Sequence, residues 1–218
     1  MRVQWLGHSC FLMTADTGAT LLTDPYDTEA YPGTLLYEPL DVSPDVVTSS
    51  HSHADHANVE IIGGTPEIVR TPAPREAAGF SIRGIEVFHD TQSGAMRGDN
   101  IIFLVGSGGI TVCHLGDLGH ELNYEQAREI GHVDILLIPV GGTFTIDAAA
   151  ATRIWQQLEP TLTIPMHYRN DKCLFNIDGV DRFIAGKPDV ETPGTSEITI
   201  EKDNLPSSPK IVVLEHHR

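Results

Sequence analysis

Short runs of apolar and β-branched residues alternate with turn-forming residues through the first half of the chain. The runs are Val3 to Leu6, Cys10 to Thr14, Thr20 to Thr23, Val46 to Thr48, Ile68 to Thr71, Ile85 to Phe88, Ile101 to Val105 and Ile110 to Cys113. Each run predicts a β-strand, because turn formers such as Asp16-Thr17-Gly18 and Ser107-Gly108-Gly109 separate them. The pattern is that of a β-meander, interrupted after His56 by a predicted short helix from Ala57 to Ile62 that Gly63 ends.

The second half of the chain changes to alternating helices and strands. The predicted elements are a helix from the capping-box pattern Asn123 to Gln126 up to Gly131, a strand from Asp134 to Pro139, a helix from Ala148 to Leu158 capped by Asp147, and a strand from Leu162 to Ile164. Residues 170–204 are rich in Gly and Pro and predict a loop with one strand, from Glu197 to Ile200.

A meander followed by helix-strand units predicts two packed sheets with helices on their outer faces. This is a four-layer α/β/β/α sandwich. A length of 218 residues fits one large domain better than two small ones, so we expect a single domain over residues 1–218. Hydrophobic residues make up 40% and charged residues 20% of the chain, which is typical of a globular protein and not of a disordered one.

The charge and the cysteines narrow the choice of function and location. The formal net charge of −16 disfavours binding to nucleic acid, because the surface potential repels polyanions. The first residues lack the basic start and apolar run of a secretory signal, and no apolar stretch is long enough for a membrane span, so we expect a cytoplasmic protein without a membrane partner. Three widely spaced cysteines without CxxC spacing favour buried thiols over disulfides or a Cys-based zinc site.

Four potential metal ligands lie within six residues, in the run His51-Ser52-His53-Ala54-Asp55-His56. His51 and His53 follow a predicted strand, and in extended backbone a spacing of two directs both imidazoles to the same side, towards one ion. Asp55 and His56 lie where the chain turns, so they project differently and could hold a second ion. The alternative is a His-rich surface loop, but the density of ligands disfavours it.

Three further candidates lie where predicted strands end. His89 closes the strand Ile85 to Phe88, Asp117 follows Cys113-His114-Leu115-Gly116, and His167 follows Thr163 to Met166. Loops at strand ends carry functional side chains on a rigid support, so these residues are candidates for completing a metal site.

In the order of these residues the chain resembles the metallo-β-lactamase superfamily. Its ligand order is an early Asp, an HxHxDH run, a His, an Asp and a final His, which matches Asp24, the run from His51 to His56, His89, Asp117 and His167. The resemblance extends from Leu6-Gly7-His8-Ser9 to Met166-His167-Tyr168 and is closest to the metal-dependent hydrolases that include an ascorbate-phosphate lactonase.

The resemblance implies a binuclear centre. One divalent ion is expected on His51, His53 and His89, and the other on Asp55, His56 and His167, with Asp117 bridging the two. Zinc is the default choice, although sites of His and Asp also accept manganese, iron or nickel. Such a pair gives hydroxide at neutral pH, and Asp55 could accept a proton or orient that hydroxide as a catalytic residue.

Four more residues are candidates for roles around the ions. Asp24 matches the early Asp of the superfamily and is expected to orient a ligand His, the alternative being a turn-forming Asp before Pro25. His8 either lines the substrate pocket or is a structural histidine. His114 lies inside a strand, which favours a buried, hydrogen-bonded residue that supports the ligands. His120 follows Asp117 by three residues and is a candidate for a catalytic contact with substrate.

Two segments could line the substrate pocket. Arg97 lies between Gly94 and Gly98 and is the best candidate for a positive group that reaches an anionic substrate, although a solvated arginine is the ordinary interpretation. The run from Gly141 to Thr145 lies between a strand and a helix and could receive an anion, whereas a plain turn is the simpler interpretation.

The function expected from these features is hydrolysis of a small lactone, ester or phosphoester by two metal ions. A nuclease or phosphodiesterase on the same centre is the first alternative, but the added basic surface of such enzymes is not visible. The second is a metal-binding or redox-sensing protein without hydrolysis. The partner expected is a small-molecule substrate, and assembly into a homo-oligomer is left open.

Overall fold

The computed structural model of the chain describes residues 1–217, which form two β-sheets that share one large apolar core. The strands are β1 (Arg2–Gly7), β2 (Cys10–Thr14), β3 (Thr20–Thr23), β4 (Val46–Thr48), β5 (Glu67–Val69), β6 (Arg75–Ala77), β7 (Phe80–Phe88), β8 (Asp99–Ser107), β9 (Ile110–His114), β10 (Ile135–Pro139), β11 (Leu162–Met166), β12 (Val190–Glu191), β13 (Glu197–Thr199) and β14 (Lys210–Val212). The helices are α1 (Tyr124–Ile130), α2 (Ala148–Leu158) and α3 (Asp181–Ile184), with 3-10 turns at Val59–Ile61 and Lys202–Asn204.

Both sheets mix parallel and antiparallel pairs. The first sheet has the order β13-β1-β2-β3-β4-β5, and the second has the order β12-β14-β11-β10-β9-β8-β7-β6. In the first sheet β3 runs parallel to β4, and in the second β9, β10 and β11 run parallel to one another. Because β8 is antiparallel to both of its neighbours, β7 runs in the direction of β9. Loops that follow these strands therefore leave each sheet at one edge.

Alternation along the strands divides the apolar side chains between two clusters. In β1 Trp5 belongs to the large core between the sheets, whereas the next residue, Leu6, belongs to a second cluster. That second cluster packs Leu22 of β3 against Tyr26 and Tyr37 of the long β3-β4 connection. The outer face of the first sheet is thus covered mainly by a loop segment, while α1 and α2 pack on the second sheet. The predicted α/β sandwich is therefore confirmed. It contains few helices, and a loop segment covers most of the face on which a helical layer was expected.

The two longer helices begin at the predicted caps. The Asn123 side chain accepts a hydrogen bond from the Gln126 backbone N–H at 2.9 Å, and the Gln126 side chain accepts one from the Asn123 N–H at 3.0 Å. Asp147 accepts from the Ala150 N–H at 2.8 Å and so caps α2. Within residues 1–217 no helix combines the length and apolar character needed to cross a bilayer.

Some short elements differ from those predicted. A helix was predicted from Ala57 to Ile62, but the structure has only the 3-10 turn Val59–Ile61 there. The side chain of Asn58, which precedes this turn, makes no capping hydrogen bond. The prediction of one strand within residues 170–204 was incomplete, since α3 and β12 also lie there. Both are very short, with four and two residues, and their pattern is too brief to be distinguished from a turn.

Candidate metal centre

The predicted ligands gather at one edge of the sandwich. The run from His51 to His56 follows β4, while His89, Asp117 and His167 follow β7, β9 and β11. Asp24 follows β3, and His8 lies in the turn from β1 to β2. The parallel direction of the strands, not closeness in sequence, therefore brings together side chains that span most of the chain.

One group of possible ligands consists of His51, His53 and His89. One ring nitrogen from each lies within 4.8 Å of the others, and His51 Nε2 is 3.1 Å from His53 Nδ1. His89 is buried, whereas His53 is partly open to solvent. Three imidazoles at this spacing are a donor set typical of zinc and other divalent transition metals.

A second group consists of Asp55, His56, His167 and also His8. Their donor atoms again lie within 4.8 Å of one another, and all four residues are buried. His8 Nε2 lies 3.1 Å from Asp55 Oδ2, so His8 faces the centre itself. The structure thus brings together the residues that the resemblance assigns to each ion, and His8 lies with the second group. A third possible group, formed by Asp24, His51 and His56, shares one histidine with each of the other two.

Asp117 lies between the two groups. Its Oδ2 atom is 3.2 Å from His89 Nε2 and 3.3 Å from His167 Nε2, and its Oδ1 atom is 3.3 Å from His56 Nε2. A single carboxylate therefore contacts one member of the first group and two of the second. This is the position that the superfamily resemblance implies for a bridging ligand.

The residues fit divalent metal ions. His56 Nε2 and Asp117 Oδ1 are buried and have no hydrogen-bond partner among the described residues, 1–217. Buried polar atoms are rarely left without a partner in proteins, so atoms of this kind that face one another within a cluster of histidines indicate a ligand. Neutral imidazoles and carboxylates are also the chemistry that these ions require.

Buried polar residues around the two groups hold the ligands in place. The Asp24 carboxylate lies 2.9 Å from His56 Nδ1 and accepts hydrogen bonds from the Ser50 N–H at 2.7 Å and from its hydroxyl at 2.6 Å. The Ser50 hydroxyl is also 3.0 Å from His51 Nδ1. Asp24 therefore orients one ligand directly and another through Ser50, as partners of metal-bound histidines commonly do.

Asn100 supports the backbone of Asp117 in a similar way. Its amide oxygen accepts from the Asp117 N–H at 2.9 Å, and its amide nitrogen donates to the Leu115 carbonyl at 2.9 Å. Gly119 lets the next turn approach His89, because a Cβ atom at that position would overlap the His89 backbone. Neither Asn100 nor Ser50 was predicted from sequence, since neither lies in a recognisable motif.

Three residues of the centre have left-handed backbone. The φ angles are 51° at His8, 39° at Asp24 and 49° at His167. Residues with a Cβ atom adopt this conformation infrequently and at a cost in free energy, and it concentrates at functional sites. The fold therefore accepts backbone strain in order to direct these side chains into the centre.

The electrostatic environment prepares the ligands for a cation. Burial, together with the neighbouring His56, lowers the pKa of His51 to about 3, although Asp117 and Asp24 oppose this shift. Burial and His167 lower the pKa of His8 to about 4, although Asp55 opposes them. These imidazoles are therefore neutral at physiological pH, and a neutral His51 keeps the lone pair that a metal needs.

The carboxylates and His56 behave in the opposite way. Burial disfavours the charged form of Asp117, but His167 and His56 hold its pKa well below the usual range. Burial likewise opposes the charge of His56, yet Asp117 and Asp55 raise its pKa well above the ordinary value. Binding of a cation at His56 must therefore displace a proton.

The remaining predicted histidines differ in their placement. His114 is buried, and its Nε2 atom lies 2.9 Å from the Ser9 carbonyl, as expected for a hydrogen-bonded supporting residue. His120 accepts from the Phe88 N–H at 3.2 Å through Nε2, while its Nδ1 atom lies 2.8 Å from the Glu121 carbonyl. Because backbone groups occupy both ring nitrogens, this placement does not favour the predicted catalytic contact for His120.

Comparison with known proteins agrees with this geometry. The family model described as "Beta-lactamase superfamily domain" matches residues 2–167, which include every predicted ligand. The chain belongs to the metallo-β-lactamase superfamily. It is also 30% identical to a protein of Carboxydothermus hydrogenoformans named "UPF0173 metal-dependent hydrolase", over 77% of this chain and 84% of the relative. The chain thus belongs to a family of metal-dependent hydrolases within the superfamily.

Two solved structures extend the comparison. A protein from Thermotoga maritima, assigned by name to the Zn-dependent hydrolases of the superfamily, is 36% identical, has a TM-score of 0.81 and matches over 98% of both chains. A metallo hydrolase from Ignicoccus hospitalis is 22% identical with a TM-score of 0.60, over 77% of this chain and 82% of its own, and shows a shared superfamily fold only. None of these names includes an ascorbate-phosphate lactonase. The resemblance to hydrolases of that kind therefore stays a prediction.

Proposed function

We propose that the protein is a binuclear hydrolase of small lactones, esters or phosphoesters. The observation that carries this proposal is the position of Asp117, whose two oxygens lie 3.2–3.3 Å from His56, His89 and His167. A carboxylate between two groups of ligands supports two neighbouring ions better than a single one. The name of the Thermotoga maritima relative favours zinc.

When bound, a pair of such ions lowers the pKa of water and makes hydroxide available near neutral pH. The residues of the chain then have separate tasks. His8 donates towards Asp55 Oδ2 at 3.1 Å and fixes that carboxylate, leaving Oδ1 directed towards the Tyr31 hydroxyl at 3.5 Å. Burial opposes the charge, but His56 and His8 lower the pKa of Asp55, so it is ionised and able to orient a proton donor.

The acidic surface supports a small substrate. A net charge of −16 repels the phosphate backbone of RNA or DNA, whereas a small ester or lactone meets no such barrier. A nuclease or phosphodiesterase is therefore the first alternative to this function. Metal binding without hydrolysis is the second alternative.

Turnover by the zinc-loaded protein tests the proposal. Substrates are a γ-lactone, a phenyl ester, bis(para-nitrophenyl) phosphate and a short RNA hairpin, each assayed before and after removal of zinc by a chelator. We expect zinc-dependent hydrolysis of the lactone or ester and its loss in His53→Ala, while the exposed control His132→Ala keeps it. Turnover of the phosphodiester and RNA alone would favour the alternative, and zinc binding without any turnover would contradict the proposal.

A further inference from the structure

Three aromatic rings and one arginine form a continuous arc beside the metal centre. The ring centroids of Tyr31 and Phe175 are 5.2 Å apart, those of Phe175 and Phe144 are 5.8 Å apart, and Arg97 Cζ lies 5.8 Å from the centre of the Phe144 ring. All four residues are half-buried, so part of each remains open to solvent. We call these four residues the rim.

The rim contacts the metal centre at its Tyr31 end, and at its Arg97 end it is next in sequence to a residue bonded to His89. At one end the Tyr31 hydroxyl is 3.5 Å from Asp55 Oδ1, and the Phe175 ring is 5.8 Å from the ring of His8. At the other end the backbone next to Arg97 is held beside the first group of ligands, because the His89 N–H donates to the Gly98 carbonyl at 3.0 Å. The rim therefore extends beside the centre, from the second group of ligands to the chain segment that is bonded to His89 of the first group.

The loop that carries Arg97 is fixed by a buried carboxylate. Asp90 accepts backbone hydrogen bonds of 2.7–3.0 Å from Gln92, Gly94, Met96 and Arg97 itself. Four such bonds offset the conformational entropy that the loop loses when it is ordered. The backbone of Arg97 is therefore held in a defined position by the fold.

The arginine is also held from the opposite side. Its Nη2 atom donates to the Thr143 carbonyl at 3.1 Å, and the Thr143 hydroxyl donates to the Asn176 carbonyl at 3.0 Å, next to Phe175. Thr143 has left-handed backbone, with φ at 64°. Among residues 1–217 no carboxylate forms an ion pair with Arg97, although the chain has 30 acidic residues, so its guanidinium keeps donors for a ligand.

These features define a ligand by its chemistry. Aromatic faces bind flat or apolar groups, and a guanidinium offers parallel N–H donors that match a carboxylate or phosphate. We propose that the rim binds the part of the substrate remote from the reacting bond and selects esters or lactones that carry a planar body and an oxyanion. This inference rests on the proposed hydrolase function and adds the substrate class to it.

The experiment uses pairs of substrates that differ only in the oxyanion. They are para-acetoxybenzoate and its carboxamide, with homologues in which one or two methylene groups separate the ring from the acid. For at least one pair we expect the zinc-loaded protein to show a kcat/KM about tenfold higher for the acid, the value of one charge-assisted contact. Arg97→Gln is expected to abolish this preference, and Arg97→Lys to restore part of it.

A matched control is Arg128→Gln, because Arg128 is an exposed arginine of α1 that pairs with Glu125 at 4.0 Å, away from the centre. It is expected to leave both members of each pair unchanged. A preference for the acid that is equal in wild type and Arg97→Gln would overturn the inference, as would the absence of any preference in wild type across the series.

Binding without turnover separates this inference from the proposed hydrolysis. Calorimetry of the zinc-loaded protein with para-acetamidobenzoate, its homologues and their carboxamides needs no reaction. We expect the acid to bind about tenfold more weakly to Arg97→Gln, and Phe144→Leu to weaken the acid and the carboxamide equally. If no ester is hydrolysed but this pattern holds, the hydrolase proposal fails and the rim stands. Equal affinity of the acid for wild type and Arg97→Gln would contradict the role of the rim.

Discussion

The carboxylate of Asp24 lies 2.9 Å from His56 Nδ1, in the buried layer behind the metal ligands. It belongs to a residue with left-handed backbone and so is directed at the ligands by a strained turn after β3. Because the carboxylate also binds Ser50, which reaches His51, one side chain orients a member of each ligand group. Asp24 is thus a common support for both halves of the centre.

Replacing Asp24 by Asn should weaken metal binding without unfolding the protein. Asn tolerates the left-handed backbone, but its amide cannot provide the charged acceptor that His56 and Ser50 share. We expect zinc affinity to fall by about 10- to 100-fold, measured by competition with a chromophoric chelator. The control is Asp27→Asn, three residues away. Within residues 1–217 the Asp27 side chain accepts one hydrogen bond, from the Glu29 N–H, so this variant should keep wild-type affinity. Unchanged affinity in Asp24→Asn would refute the supporting role.

Asn100 should matter for stability even without metal. Asn100→Ala leaves the buried N–H of Asp117 and the carbonyl of Leu115 without their partner. We expect the free energy of unfolding of the metal-free protein to fall by about 1–3 kcal/mol in urea titrations. Asn204→Ala, which removes an exposed contact with Glu201, should change it by less than about 0.5 kcal/mol. Equal effects of the two substitutions would show that Asn100 is not a support of this kind.

Asp134 gives the stability of the fold a defined dependence on pH. Its carboxylate accepts from the Thr111 N–H and from Lys202 Nζ, both at 2.8 Å, and although burial opposes the charge, these contacts lower its pKa. A carboxylate whose pKa is lower in the folded than in the unfolded state stabilises the protein at pH values above its unfolded-state pKa of about 4. This stabilisation is lost as the pH falls through the pKa of the folded state.

Asp134→Asn should therefore reduce the free energy of unfolding by about 1–3 kcal/mol at pH 7, with a smaller difference from wild type below about pH 4. Urea unfolding of the metal-free protein at a series of pH values measures this. Asp178→Asn, which removes a more exposed pair with Arg182, serves as the control and should have little effect at any pH. A difference for Asp134→Asn that grows towards low pH would contradict this sign.

The sequence predicted those parts of the centre that have a local signal. His51 to His56 are recognisable because four ligands are adjacent, and His89, Asp117 and His167 because each follows an apolar strand. Ser50, Asn100 and the ring of Phe175 have no such signal, since their roles arise only when distant loops meet at one edge of the sheets. Their identity was therefore accessible only from the tertiary structure.

The fold shows the same division. The helices after Asn123 and Asp147 were predicted because their caps are local hydrogen-bonding patterns. The short strands β12 and β14 were not, because their two or three residues are held by pairing with partners distant in sequence, β14 with β11 and β12 with β14. The strand β6 was also missed, although it pairs with the nearby strand β7, because three residues give too short a pattern. The same holds for His120, whose ring is held by backbone groups that sequence alone does not bring near it.

The number of ions bound per chain tests the central claim of two ligand groups joined by Asp117. Metal-stripped protein is titrated with zinc, and bound zinc is counted by elemental analysis after gel filtration. We predict two zinc ions per chain for wild type and for the control His132→Ala, and one for His53→Ala, with circular dichroism unchanged in each. A wild-type protein that binds a single ion, or a His53→Ala variant that still binds two, would contradict the account.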